Sequence, residues 1–210
     1  KGFIMSIVTL NDRGVRSVST FGSISSGSMV FIKKLTASSS STLSFVNGSS
    51  DVVLDSTYKE YLFTFKDIHP ATDSVSFQFN LSIDGGSNYN VTKTTTEFSA
   101  YHNEGDSATA LGYNDVNDLA QSTNDQKLSS SNLGNGNDEA FVGTLHLFNP
   151  SSTTFVKHFI SRVGFYHDSD YAIDGFISGY GNTTSAVNAV IFKMSSGNID
   201  AGDICLYGIL

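Results

Sequence analysis

The stretch Val75-Ser76-Phe77-Gln78-Phe79-Asn80-Leu81-Ser82-Ile83 alternates five apolar residues with four polar ones. A period of two is the period of a β-strand, whose successive side chains leave opposite faces. One face of such a strand enters a core and the other meets water, the pattern of an antiparallel sheet. Asp84-Gly85-Gly86-Ser87-Asn88 follows, and its glycines supply the positive φ that a tight hairpin turn needs. The same rhythm predicts strands at 29–35, 43–46, 52–54, 58–65, 89–98, 141–148, 154–166, 171–180, 189–194 and 204–210. Composition agrees. The 33 Ser, 18 Thr and 19 Gly among 210 residues disfavour helices, because hydroxyls compete for backbone hydrogen bonds and glycine costs entropy. The 16 Phe and 9 Tyr supply enough apolar surface to exclude a disordered chain.

These strands imply an all-β fold, an antiparallel β-sandwich of the jelly-roll kind with additions to its eight strands. Residues 1–28 read as an extended N-terminal arm, and 29–210 as a single sandwich. Residues 101–140 interrupt the rhythm with Gly, Asn, Asp and Ser, and read as a long acidic loop with helical turns at 108–111 and 116–120. Asp67-Ile68-His69-Pro70 reads as a turn after a strand, since proline punctuates both helix and sheet. Segments such as Phe155-Val156-Lys157-His158-Phe159-Ile160 carry apolar residues on both faces. That implies strands covered by a second sheet on one side and a neighbouring subunit on the other.

Charge excludes one class of partner. The net charge is −8 and the pI about 4.9, whereas nucleic-acid binding needs clustered Lys and Arg. Residues 101–140 hold seven acidic residues and one basic, so the excess is concentrated there. No run of 18 apolar residues predicts a membrane span. The single cysteine, Cys205, excludes an intramolecular disulfide, and its apolar surroundings predict a small buried core residue.

Reaction chemistry is sparse. His69, His102, His146, His158 and His167 show no metal-site spacing, although His146 and His158 are expected to face each other across a sheet. Asp115-Val116-Asn117-Asp118 and Asn135-Gly136-Asn137-Asp138-Glu139 are fragments of calcium-loop patterns without the full ligand set, and His167-Asp168-Ser169-Asp170 reads as a polar turn. No nucleophile elbow, P-loop or dinucleotide fingerprint occurs, so no catalytic, cofactor-binding or metal-ligating residue is assigned and no cofactor is implied. Tyr101, Tyr113, Tyr166, Tyr171 and Tyr180 are candidates for stacking on sugar rings, in a chain without Trp.

Several segments carry a family resemblance: Leu10-Asn11-Asp12-Arg13-Gly14-Val15-Arg16, Phe21-Gly22-Ser23-Ile24, Met29-Val30-Phe31-Ile32-Lys33-Lys34, Tyr58-Lys59-Glu60-Tyr61-Leu62-Phe63 and Leu147-Phe148-Asn149-Pro150-Ser151-Ser152. The closing run Ser196-Gly197-Asn198-Ile199-Asp200-Ala201-Gly202-Asp203-Ile204-Cys205-Leu206-Tyr207-Gly208-Ile209 is the most specific. Together they resemble virion structural proteins of tailed bacteriophages, notably marine phages and those of cyanobacteria. The resemblance implies a jelly-roll module on the particle, in a capsid decoration, vertex or tail-fibre position. It also implies a homo-oligomer, with three copies expected, docked to other virion proteins, and it carries over no catalytic residue. The resulting expectation is a non-enzymatic virion protein, assembled in the host cytoplasm. The alternative is a glycan-binding adhesin that uses the tyrosines and the 101–140 segment on a host surface. A polysaccharide hydrolase is the third reading, and would need a cleft with two carboxylates.

Overall fold

The computed structural model describes residues 27–129 and 132–210. All but the last two residues of the expected arm, 1–28, lie outside this range. In chain order the strands are β1 (Met29–Thr36), β2 (Leu43–Val46), β3 (Glu60–Pro70), β4 (Phe77–Ser82), β5 (Lys93–Asn103) and β6 (Thr109–Tyr113). They continue as β7 (Gln126–Lys127), β8 (Phe141–Phe148), β9 (Lys157–His167), β10 (Tyr171–Gly181), β11 (Ala189–Met194) and β12 (Ile199–Ile209). The described residues contain no helix.

The strands form two antiparallel sheets, ordered β1-β12-β3-β8-β9-β10-β5-β6 and β2-β11-β4-β7. Four pairings are nested: β1 with β12, β2 with β11, β3 with β8 and β4 with β7. This is a long hairpin rolled into two four-stranded sheets, the jelly-roll arrangement. The remaining strands are two insertions that pair with each other. The β5–β6 hairpin enters between β4 and β7, and β9–β10 enters between β8 and β11. Pairing of β5 with β10 extends one sheet to eight strands.

The core between the sheets is built from phenylalanine. Phe192 of β11 lies within 6.3 Å, centroid to centroid, of Phe45, Phe63, Phe65, Phe77 and Phe79. Most of these contacts are edge-to-face, the geometry that the ring quadrupole favours. All five partners are buried, and each such ring contributes about 1.5–3 kcal/mol of transfer free energy. Cys205 is also buried, as its apolar surroundings predict.

Four local expectations are corrected. First, Asp67-Ile68-His69-Pro70 continues β3. Asp67 has φ 49° and occupies a bulge between Phe65 and Ile68, beyond which Ile68 pairs with Phe141 and returns to the core. Pro70 ends the strand, where its missing N–H costs least. The partner strand is irregular at Gly202 (φ +115°), where a Cβ would lie 2.5 Å from the Asp67 carbonyl oxygen. Second, residues 52–54 are a closed loop. Val52 and Leu54 are buried, but Asn47 Oδ1 accepts from Leu54 N, and Gly48 N donates to Val52 O.

Third, residues 108–111 are strand, since β5 runs on to Asn103 and β6 returns against it. Asn103 Oδ1 accepts from Ser107 N and Ala108 N and so closes the hairpin. Residues 115–117 form a turn and carry no helix. Beyond it, Gln126–Lys127 forms β7 at the edge of the four-stranded sheet, and Leu128 and Leu133 are buried in the core. Fourth, His146 of β8 faces Ile160 of β9, and His158 sits diagonally from it. The register differs from the expected one by two residues, which keeps both histidines on the same face and so leaves no trace in a period of two.

Candidate functional site

The two sheets leave two outer faces of opposite character. On the four-stranded sheet, Phe77, Phe79 and Leu81 of β4 enter the core, so alternation sends Gln78 and Asn80 outward. Register then places Lys193 of β11, Gln78 and Lys127 of β7 side by side in one cross-strand row. The 116–125 segment and Tyr89 rise beside this row and enclose a cleft of about 640 Å³.

The cleft has a rigid floor. Asn80 Oδ1 accepts from Lys93 Nζ (2.6 Å) and Leu81 N (2.9 Å), while Nδ2 donates to Thr123 O (3.1 Å) and Asp125 Oδ1 (2.9 Å). Four bonds exhaust a carboxamide and fix its orientation. Asp125 Oδ2 lies 2.6 Å from Lys193 Nζ. Asp118 accepts from the Tyr113 hydroxyl, which raises the pKa of that phenol. Desolvation pushes the buried Lys93 ammonium down to about 8, against the upward pull of Asp125. Two carboxylates, Asp118 and Asp125, thus line the cleft, each held by a partner, and two ammonium groups, Lys127 and Lys193, balance their charge. Gln78, Tyr89, Asn124 and Lys127 also line it, with no side-chain hydrogen-bond partner among the described residues.

The other outer face belongs to the eight-stranded sheet and is aromatic. Register aligns Phe31, Tyr207, Leu62, His146 and Ile160 in a row across β1, β12, β3, β8 and β9. A second row aligns Arg162, Phe176, Phe98 and Tyr113 across β9, β10, β5 and β6. Phe98 and Phe176 stack at 4.8 Å, and the Arg162 guanidinium lies 5.0 Å from the Phe176 centroid. Phe31 is 57% exposed, Ile160 52%, Phe98 45% and Tyr113 60%, far from the near-zero values of the inner face. The charges here are paired among themselves. Arg162 grips Asp174 through Nε (3.2 Å) and Nη2 (2.9 Å), and His146 Nδ1 lies 2.5 Å from Glu60 Oε1.

Of the residues singled out in the sequence, Tyr101, Tyr171 and His167 come together, while the other histidines, tyrosines and acidic turns are spread over the molecule. His69 Nε2 is 3.1 Å from Gly136 O, His102 Nε2 is 3.0 Å from Asp106, and His167 Nδ1 is 2.7 Å from Asp168. His158 lies beside Tyr180 on the aromatic face. Tyr101 and Tyr171 meet edge-to-face next to His167 and Ile173, around a small cavity of about 190 Å³. Glu104 and desolvation raise the pKa of the Tyr166 hydroxyl, at a separate place. Among the described residues no three His, Cys, Asp or Glu side chains are grouped to hold a metal ion. Glu139 bends back onto Gly136 N in its own turn. The 101–140 segment does reach the polar cleft, through 116–125 and Lys127. Tyr89, Gln78 and Lys193 were not flagged by sequence. The available signal was the outward parity of Gln78 on β4 and Lys193 on β11 and the place of Tyr89 after Gly85-Gly86, a turn expected to close a hairpin that instead carries the chain from the small sheet to β5 in the large one.

No family model, no curated protein and no solved structure matches the chain.

Proposed function

We propose that the chain is a non-enzymatic structural protein of a tailed-bacteriophage particle, which self-associates and docks onto other virion proteins. The observation that carries this reading is the aromatic outer face of the eight-stranded sheet. Phe31, Phe98, Leu111, Tyr113, Val142 and Ile160 together expose on the order of 600 Å². Exposed apolar side chains in this number on one sheet face favour a contact with another protein surface. Arg162 and Asp174 form an ion pair on the face and Glu60 is hydrogen-bonded to His146, so these charged groups keep a partner when the face is covered. The strands with apolar residues on both sides have this face as their second side. Sequence resemblance supplies the particle and the expectation of three copies.

Peptide mapping of washed, density-purified particles tests the reading. Recovery of this chain in many copies per particle, with tryptic peptides from β9 protected in the intact particle, is expected. Its absence from washed particles overturns the virion assignment.

A further inference from the structure

We infer that the polar cleft on the four-stranded sheet is a binding site for a neutral oligosaccharide. This goes beyond the assembly reading and concerns the opposite face of the sandwich. Three observations carry it. The first is volume: about 640 Å³ is within the range of small-molecule sites and admits roughly two or three sugar rings.

The second is the supply of free polar groups. Gln78, Asn124, Tyr89 and Lys127 converge on one cleft, from β4, the 116–125 segment, the turn after Gly86 and β7. None has a side-chain hydrogen-bond partner among the described residues. Neighbouring polar groups of the same chain are saturated, Asn80 above all. A carboxamide offers donors and an acceptor in one plane, which matches adjacent hydroxyls that each donate and accept. The Tyr89 ring adds an apolar surface with a polar tip, suited to the C–H face of a pyranose.

The third is charge. Asp118 and Asp125 against Lys127 and Lys193 leave the lining neutral, and the Lys193–Asp125 pair at 2.6 Å removes one cation from use. A phosphate, sulfate or sialic acid would meet two fixed carboxylates. A polyamine would meet two ammonium groups. A neutral polyol meets neither obstacle. The saturated Asn80–Asp125–Lys193 floor holds the site in shape before the ligand arrives, which reduces the ordering cost of binding.

The test is a glycan array carrying neutral, sialylated and sulfated oligosaccharides, followed by titration calorimetry with the best neutral probe. Hits confined to neutral glycans are expected. Asn124→Ala with Lys127→Ala, both at the cleft surface, is expected to weaken binding at least tenfold with the melting temperature unchanged, and Tyr89→Phe to weaken it several-fold. Phe98→Lys with Ile160→Lys, on the other face, is expected to bind like the parent chain, so failure of the assembly reading leaves this result intact. No array signal, hits confined to anionic glycans, or undiminished binding by the Asn124/Lys127 double variant overturns the inference.

Discussion

Lys93 offers a direct test of how the sandwich carries a buried charge. Its side chain is fully buried, and Nζ donates to Asn80 Oδ1 at 2.6 Å and to Val91 O at 2.8 Å. Desolvation lowers its pKa from 10.5 to about 8. The folded chain therefore holds this proton less tightly than the unfolded chain does. Stability rises with pH between about 8 and 10.5, and is lost as pH falls through about 8. The full gap corresponds to roughly 3 kcal/mol, of which about 2 kcal/mol accrues between pH 7 and 9.5. Tyr61 limits the window from above. Burial raises it to about 12, so its contribution is full below pH 10 and declines as pH climbs towards 12.

The experiment is urea unfolding of the parent chain, Lys93→Met and Lys93→Gln at half-unit steps from pH 7 to 9.5. The parent is expected to gain about 2 kcal/mol more than either variant across the series, since the burial that lowers the Lys157 pKa acts alike in all three. Lys93→Met leaves two buried acceptors without a donor and is expected to lose about 1–3 kcal/mol in absolute terms. The slope is the readout, and Lys93→Gln keeps a donor at the site. Parent and variant profiles that run parallel to within about 0.5 kcal/mol would refute the reasoning.

Further outcomes follow from the same packing. Phe192→Ala removes the ring that five others enclose and is expected to cost about 3–5 kcal/mol in urea unfolding, whereas Phe192→Leu keeps most of the volume and costs less. Gly202→Ala places a Cβ 2.5 Å from Asp67 O at a φ of +115°, and a loss of about 1–3 kcal/mol in chemical unfolding is expected. Cys205 is buried, so a thiol reagent is expected to label it only at the rate of unfolding, and fast labelling of the native chain would contradict its placement.

Periodicity made the strands legible wherever one face is buried. β4 and β11 sit within a residue or two of their sequence positions, because a slip of one residue would turn Phe77, Phe79 or Phe192 outward. The antiparallel sandwich followed from strand number and spacing, whereas the nested pairing of its strands came only from the structure. What stayed hidden was long-range. The hairpin of β5 and β6 looks like loop because Thr109-Ala110-Leu111-Gly112-Tyr113 is exposed on both faces, so no apolar period marks it. The bulge at Asp67 hides because backbone strain there is stabilised by a partner more than a hundred residues away, at Gly202. The polar cleft was only half legible. The 101–140 segment stood out by composition, but Gln78 and Lys193 meet it only through the register of β4 with β7 and β11. Of the tyrosines chosen for sugar stacking only Tyr101 and Tyr171 meet, away from this cleft, and Tyr89 was passed over beside a turn.

The proposed role stands or falls with the aromatic face of the large sheet. Sedimentation equilibrium of the purified chain across a hundredfold concentration range, with and without Phe98→Lys and Ile160→Lys, addresses it most directly. The account predicts a defined oligomer for the parent chain and a folded monomer, with an unchanged melting temperature, for the double variant. A parent chain that stays monomeric throughout, or an oligomer indifferent to both lysines, would contradict it.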